Sequence, residues 1–240
     1  MHRKLILILA FLSLLFHQVQ AAEWPEEFYI MTQKRALSLM PLSLKEVLED
    51  HKKDIYSGMY HALQNREYRS VEDTCSHVSN KVRQATGMIE ARRPFREVCY
   101  VMGELCGLLC EYNSPFYADP AKCGGPELRK RFFTFTRDKL HLFVPVFGNK
   151  EQGKLTIPAL ESRIKDIIAR SENACAGLAK GSVDQSHDWD VRSVQFGISS
   201  LACTHAILDV ADVWLLLWSS AGGDMRDAPD WWKEEQAVEN

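Results

Sequence analysis

Apolar residues recur at helical spacing through most of this chain, and that repeat narrows the fold to one class. Val71, Cys75, Val78, Val82, Ala85 and Ile89 stand three or four residues apart, so a helix gathers all six on one side, where they need a partner to cover them. Ser70 followed by Asp73 has the form of the matching N-terminal cap. Upstream, Ser43 with Glu46 reads as a capping box, opening one helix through Leu44, Val47, Leu48, Ile55 and Met59 to about Leu63. Downstream, Pro94 suits the first position of a helix, because its missing N–H would be unpaired there. The stripe of this helix is Phe95, Val98, Met102, Leu105 and Leu109, and it must end near Asn113, ahead of Pro115, Pro120 and the run Cys123, Gly124, Gly125, Pro126.

A shorter helix is expected from Glu127 to about Leu140, then an irregular stretch from His141 to Gly153 with a brief extended piece at Leu142 to Val146. Thr156 caps the next helix, with Pro158 in its first turn and Leu160, Ile164, Ile167, Ile168, Cys175 and Leu178 on its buried side. Gly181 to Asp188 reads as a loop. The segment from Trp189 to Trp218 is strongly apolar but is interrupted by His205, Asp209 and Asp212, each costly in a bilayer. It is therefore expected to be the central core helix, with no transmembrane span in the mature chain. The alternation that marks strands is almost absent, so the fold class is all-α, a multi-helix bundle.

Met1, His2, Arg3 and Lys4 precede an unbroken apolar run from Leu5 to Phe16, then a short polar stretch and the pair Ala21, Ala22. That is the three-part layout of a signal peptide, and the run is too short to cross a hydrocarbon core of roughly 30 Å. Three segments follow: a signal peptide at 1–21, a single helical domain at 22–221, and a loose tail at 222–240 opened by Gly222 and Gly223. The mature chain is expected to be exported, to the periplasm or beyond the cell. Losing Arg3 and Lys4 moves the formal charge from −3 to −5, with no long basic run, which argues against a nucleic-acid partner.

The chain has 7 cysteines, all beyond the expected cleavage site. An oxidising compartment allows up to three disulfides among them, while six lie on expected helices, where a thiol is also a small buried hydrophobe. No phosphate-cradling glycine loop, CxxC pair, HExxH or nucleophile elbow occurs. Cys106 and Cys110 share a helix face, with Cys99 further back, a spacing that suits a soft metal or simple packing. Cys75 with His77, and Cys203 with His205, point apart on a helix and cannot chelate one ion. His205, Asp209 and Asp212 do share a face. They suit zinc or acid/base work on one reading, and a buried polar ladder to neighbouring helices on the other.

Trp24 to Leu37 and Met102 to Pro115 together resemble the secreted zinc-dependent phospholipase C and P1 nuclease family. The resemblance implies an exported helical bundle that hydrolyses phosphate esters at clustered zinc ions, which activate water and neutralise phosphoryl oxygens. The family's helix carries Gly, His, Asp, Pro and His in a fixed frame. Here Gly103 and Pro115 keep the frame, while the ligand positions hold Gly107, Glu111 and Tyr117, of which only Glu111 has a ligating side chain. Further ligands would fall near Phe28 or Tyr29, near Leu63 downstream of Gly58, and within Arg131 to Thr136, none of which supplies one. Asp209, Asp212 and Trp214 resemble the family's closing helix, and cleavage after Ala21 leaves Trp24 short of the free terminus that the family uses.

With most ligands replaced, the resemblance implies a non-catalytic exported protein on a phospholipase C-like scaffold. Its role is then binding or structural, toward a lipid, peptide or protein ligand, with no cofactor. The alternative is a zinc-dependent phosphoesterase with a rearranged site that draws on Glu111, His205, Asp209 or Asp212.

Overall fold

A computed structural model describes residues 24–65, 70–118, 121–146, 154–181 and 189–232. The expected signal peptide, most of the expected loop after Gly181 and the end of the tail lie outside the described residues. Among those described there are eight α-helices and no strand. They are α1 (Glu26–Ser38), α2 (Leu42–Asp50), α3 (Lys52–Gln64), α4 (Val71–Glu90), α5 (Phe95–Tyr112), α6 (Gly125–Lys139), α7 (Leu160–Gly181) and α8 (Val194–Ser220). Single 3₁₀ turns lie at Leu140–Leu142 and Asp230–Trp232.

Helix α8 is the axis of the bundle, packed against α1, α4, α5, α6 and α7. It is long and apolar enough to cross a membrane, yet 78% of its most apolar window is buried inside the protein, so its apolar surface is already covered by other helices. Ser193 caps its start, accepting from the Phe196 N–H at 3.3 Å. Its end is a Schellman motif, in which the N–H groups of Gly223 and Gly222 reach back to the carbonyls of Trp218 and Ser219 at 2.8 and 3.1 Å. Gly222 takes φ +74° there, a conformation that favours glycine. The Trp214 indole N–H donates to the Met102 carbonyl at 3.1 Å and pins α8 to α5.

Helices α3 and α5 approach more closely than ordinary side chains permit. A Cβ on Gly58 would lie 1.9 Å from the Tyr100 carbonyl oxygen, and one on Gly103 would lie 1.9 Å from that of Ile55. Backbone meets backbone here, so neither neighbour can swing aside.

The stripes predicted for α4 and α7 are buried where expected, from Cys75, Val78, Val82 and Ala85 on the first to Leu160, Ile164, Ile168 and Leu178 on the second. Several boundaries differ. The helix expected from Ser43 to Leu63 is two helices broken at His51, and Pro41, not Ser43, occupies the N-cap. Helix α7 begins at Leu160, because Ile157 to Ala159 form a turn ahead of it, and α8 begins at Val194. The extended piece expected at Leu142 to Val146 is a 3₁₀ turn followed by irregular chain. Beyond Gly223 the chain folds back far enough to bury Ala228 and Trp232. One disulfide joins Cys123 to Cys175, and the other five cysteines are free and buried.

The Gly58–Gly103 crossing makes a direct prediction. Gly103→Ala should cost at least about 2 kcal/mol by overpacking. Gly87→Ala, on an exposed stretch of α4 with nothing within 4 Å, should be neutral or stabilising by up to about 1 kcal/mol. Guanidinium unfolding of the two variants checks both signs.

Candidate functional site

One turn beyond Gly58 on α3 stands His61, and next to Gly103 on α5 stands Glu104. The close crossing brings them together, with His61 Nδ1 at 2.9 Å from Glu104 Oε1. Lys81 of α4 reaches the other carboxylate oxygen at 2.5 Å. Glu104 is 4% exposed, and a carboxylate held so deep needs both partners to offset its lost hydration.

This triad forms one wall of a cavity of about 250 Å³. Gly107, Leu108, Glu111 and Tyr112 of α5 continue that wall, His77 joins Lys81 from α4, and Ser114, Phe116 and Tyr117 close it from the turn after α5, with Arg129 from α6. At Gly107 a Cβ would lie 3.0 Å from the Met59 carbonyl oxygen, so a larger residue would press on α3. Glu111 accepts the Tyr29 hydroxyl from α1, and the hydroxyls of Tyr117 and Thr74 are 2.9 Å apart. Tyr112 and Tyr117 lie ring to ring at 4.6 Å. The turn itself is anchored from behind, because the Ser171 hydroxyl of α7 donates to the Ser114 carbonyl. The Cys123–Cys175 disulfide ties the far end of the same segment to α7 across a separation of 52 residues.

A second polar group lies in the core. Arg163 Nη2 donates to Asp212 Oδ2 at 2.6 Å, Arg163 Nε lies 3.4 Å from Asp209 Oδ1, and Arg170 donates to Asp209 Oδ2. The Asn113 amide donates to the same oxygen at 3.0 Å. Asp209 and Asp212 are 2% and 1% exposed. Their oxygens serve as acceptors for the arginines of α7 and the asparagine ending α5, which is the ladder arrangement.

No family model, no curated protein and no solved structure matches the chain.

The positions singled out by sequence separate into three places. Gly107, Glu111 and Tyr117 all line the cavity. Asp209 and Asp212 belong to the ladder, and His205 is half-buried on the same helix without lining the cavity. Phe28 and the stretch 131–136 feed a different structure. Trp24 stacks on Phe28 with centroids 4.1 Å apart and meets Phe133 edge-on at 5.0 Å, while Phe116 contacts Phe132 and Phe133. The Trp24 indole N–H donates to the Cys110 carbonyl at 3.1 Å. An aromatic cluster thus occupies the region where α1 meets α5 and α6.

Among the described residues no group of three or more His, Cys, Asp or Glu side chains is placed to hold a metal ion. Glu111 already accepts a tyrosine hydroxyl and belongs to no group of three or more such side chains among the described residues, so these residues do not fit zinc, which needs three or four donors. The cysteine cluster does not fit either. Burial pushes the Cys99 thiol up to about 12, and it pushes Cys110 well up too, helped by a hydrogen bond to Cys106. Metal ligation and nucleophilic attack both require the thiolate. Cys75 turns its sulfur toward the Glu161 carbonyl, 3.6 Å away, while His77 lines the cavity, so that pair does point apart.

Sequence reading missed His61, Lys81, Glu104 and Arg129. One signal was available for Glu104, a lone carboxylate inside the apolar run from Val98 to Cys110, where an unpaired charge would be expensive. His61, Lys81 and Arg129 carry no such mark.

Two outcomes are expected. Asp209→Ala leaves Arg170 and Arg163 short of a buried partner and should cost about 3–5 kcal/mol, equally with and without a chelator, as read from denaturation midpoints. A thiol reagent at pH 8 should find almost no reactive cysteine in the native protein and all five free thiols after denaturation without reductant.

Proposed function

We propose that this chain is a non-catalytic, exported helical binding protein on a phospholipase C-like scaffold, and that the cavity between α3, α4, α5 and α6 holds a small molecule. One observation carries the reading. Gly107, Glu111 and Tyr117, which the resemblance aligns with metal ligands, converge on one cavity, yet none of the three sits in a metal-ligand set.

A concave space with a few fixed polar groups and apolar patches is what a small-ligand site requires. The polar groups here are held by bonds across helices, Tyr29 to Glu111 and Tyr117 to Thr74, so little ordering cost is left for the moment of binding. The Cys123–Cys175 disulfide is compatible with an oxidising location, which supports the export reading of residues 1–21. Closing a loop of that length stabilises a fold by roughly 4 kcal/mol on the chain-entropy account. The cavity wall is held to α7 at Ser114 and to α4 at Tyr117.

Two measurements on the purified mature protein test the proposal. Elemental analysis after dialysis against trace zinc should find far less than one zinc per chain. Thermal-shift screening should find small molecules that raise the melting temperature of the wild type but not of Ala62→Trp, which fills the cavity from α3. Two or more zinc ions per chain with phosphate-ester hydrolysis would sink the reading.

A further inference from the structure

Taken as a ligand site, the cavity has a definite charge balance. Its lining carries two permanent cations, Lys81 and Arg129, against two carboxylates, Glu104 and Glu111, with His61 and His77 as the remaining ionisable nitrogen groups. The fixed charges cancel. A cation would meet carboxylates that already serve other groups, and a dianion would need two protons taken up by the lining where a monoanion needs one. Glu104 is held on both oxygens by His61 and Lys81, and Glu111 accepts from Tyr29.

Donor capacity is what the triad has to spare. An ammonium group has three N–H bonds, and Lys81 directs one at Glu104. His61 meets Glu104 through Nδ1, which leaves Nε2 as the ring atom that takes a proton or, once protonated, donates one. A carboxylate that enters together with one proton from solvent, taken up at Nε2, faces an imidazolium. No covalent bond of the ligand breaks, and charge balances at one anion for one cation. Beside these groups lie the apolar surfaces of Ala62, Leu108 and Phe116. The volume of about 250 Å³ falls below the range of about 300–1,000 Å³ usual for drug-sized ligands.

We infer that the cavity selects a small organic monocarboxylate, its head group against Lys81 and His61 and its short apolar body against Ala62, Leu108 and Phe116. This rests on the cavity being a ligand site, and the experiment separates the two claims. Calorimetric titration of the mature protein compares benzoate and hexanoate with three probes of other charge: inorganic phosphate, benzylamine and benzyl alcohol. The monocarboxylates should bind at least tenfold more tightly than the other three. His61→Gln should weaken them at least tenfold. So should the paired change Lys81→Met with Glu104→Gln, which removes the buried ion pair as a unit and avoids stranding one charge. Phosphate, amine or alcohol binding as tightly as benzoate, and abolished by Ala62→Trp, would overturn the monocarboxylate inference and leave the ligand site standing. Absence of any binding sensitive to Ala62→Trp would overturn both.

Discussion

The contact on which this molecule depends is the crossing of α3 over α5 at Gly58 and Gly103, where a single methyl group on either helix would collide with a carbonyl oxygen of the other. Helices with ordinary side chains at their contact stay about 8–10 Å apart; glycine at the crossing removes that spacer. The consequence is chemical as well as steric. His61 and Glu104 stand next to the crossing, and their 2.9 Å contact depends on the two backbones touching. Farther along α5, Gly107 repeats the small-residue spacing and keeps the helices close, since a Cβ there would lie 3.0 Å from the Met59 carbonyl oxygen. The glycines of α5 therefore clamp α3, and the cavity opens beside the clamp toward α4 and α6.

Opposite this crossing, the ladder of Arg163, Arg170, Asp209, Asp212 and Asn113 sets the position of α8 against α7 and the end of α5. Apolar burial is not directional, so the angle of α8 is set by the interlocking of its side chains, by the Trp214 bond to Met102 and by this ladder. Two buried carboxylates make rotation expensive, because any other angle strands a charge. We read the ladder as a device for orienting the helix more than as a source of net stability, since buried ion pairs roughly break even against a hydrophobic replacement. Asn113 links this device to the cavity, for it caps α5 one residue before Ser114 of the cavity wall.

How much of this was legible in the sequence depends on the range of the interaction involved. The stripes of α4 and α7 could be read because a helix writes its buried face at three- and four-residue spacing, and Asp209 and Asp212 stood out as charges in an apolar segment. Their arginine partners could not be read, lying 39 and 49 residues away on a helix with many charged residues. The break at His51 was hidden because Val47, Leu48 and Ile55 keep helical spacing across it. The pairing of Cys123 with Cys175 had no local sign, since Cys175 lies in an amphipathic stripe like any buried hydrophobe. In the cavity, the frame of Gly103, Gly107, Glu111 and Tyr117 was visible along α5 and the turn that follows it, whereas His61 and Lys81 come from two other helices and acquire meaning only when the glycine crossing brings α3 to α5.

The two regions that the phospholipase C resemblance touches have different physical characters, and the difference bears on what the scaffold can do. Around Trp24, Phe28, Phe132 and Phe133 the packing is buried and aromatic, with the one indole N–H of Trp24 satisfied by a backbone carbonyl. Rings that large fill space and hold a core rigid, and they leave no room for hydrated ions. Around Glu104 and Glu111 the lining stays polar, but each carboxylate is already bonded across helices to a lysine, histidine or tyrosine. Admitting a cation would break these bonds and bring a further positive charge beside Lys81, whose own charge is largely buried against Glu104. With both oxygens of Glu104 occupied and Lys81 holding N–H bonds in reserve, that wall favours ligands that bring acceptors of their own.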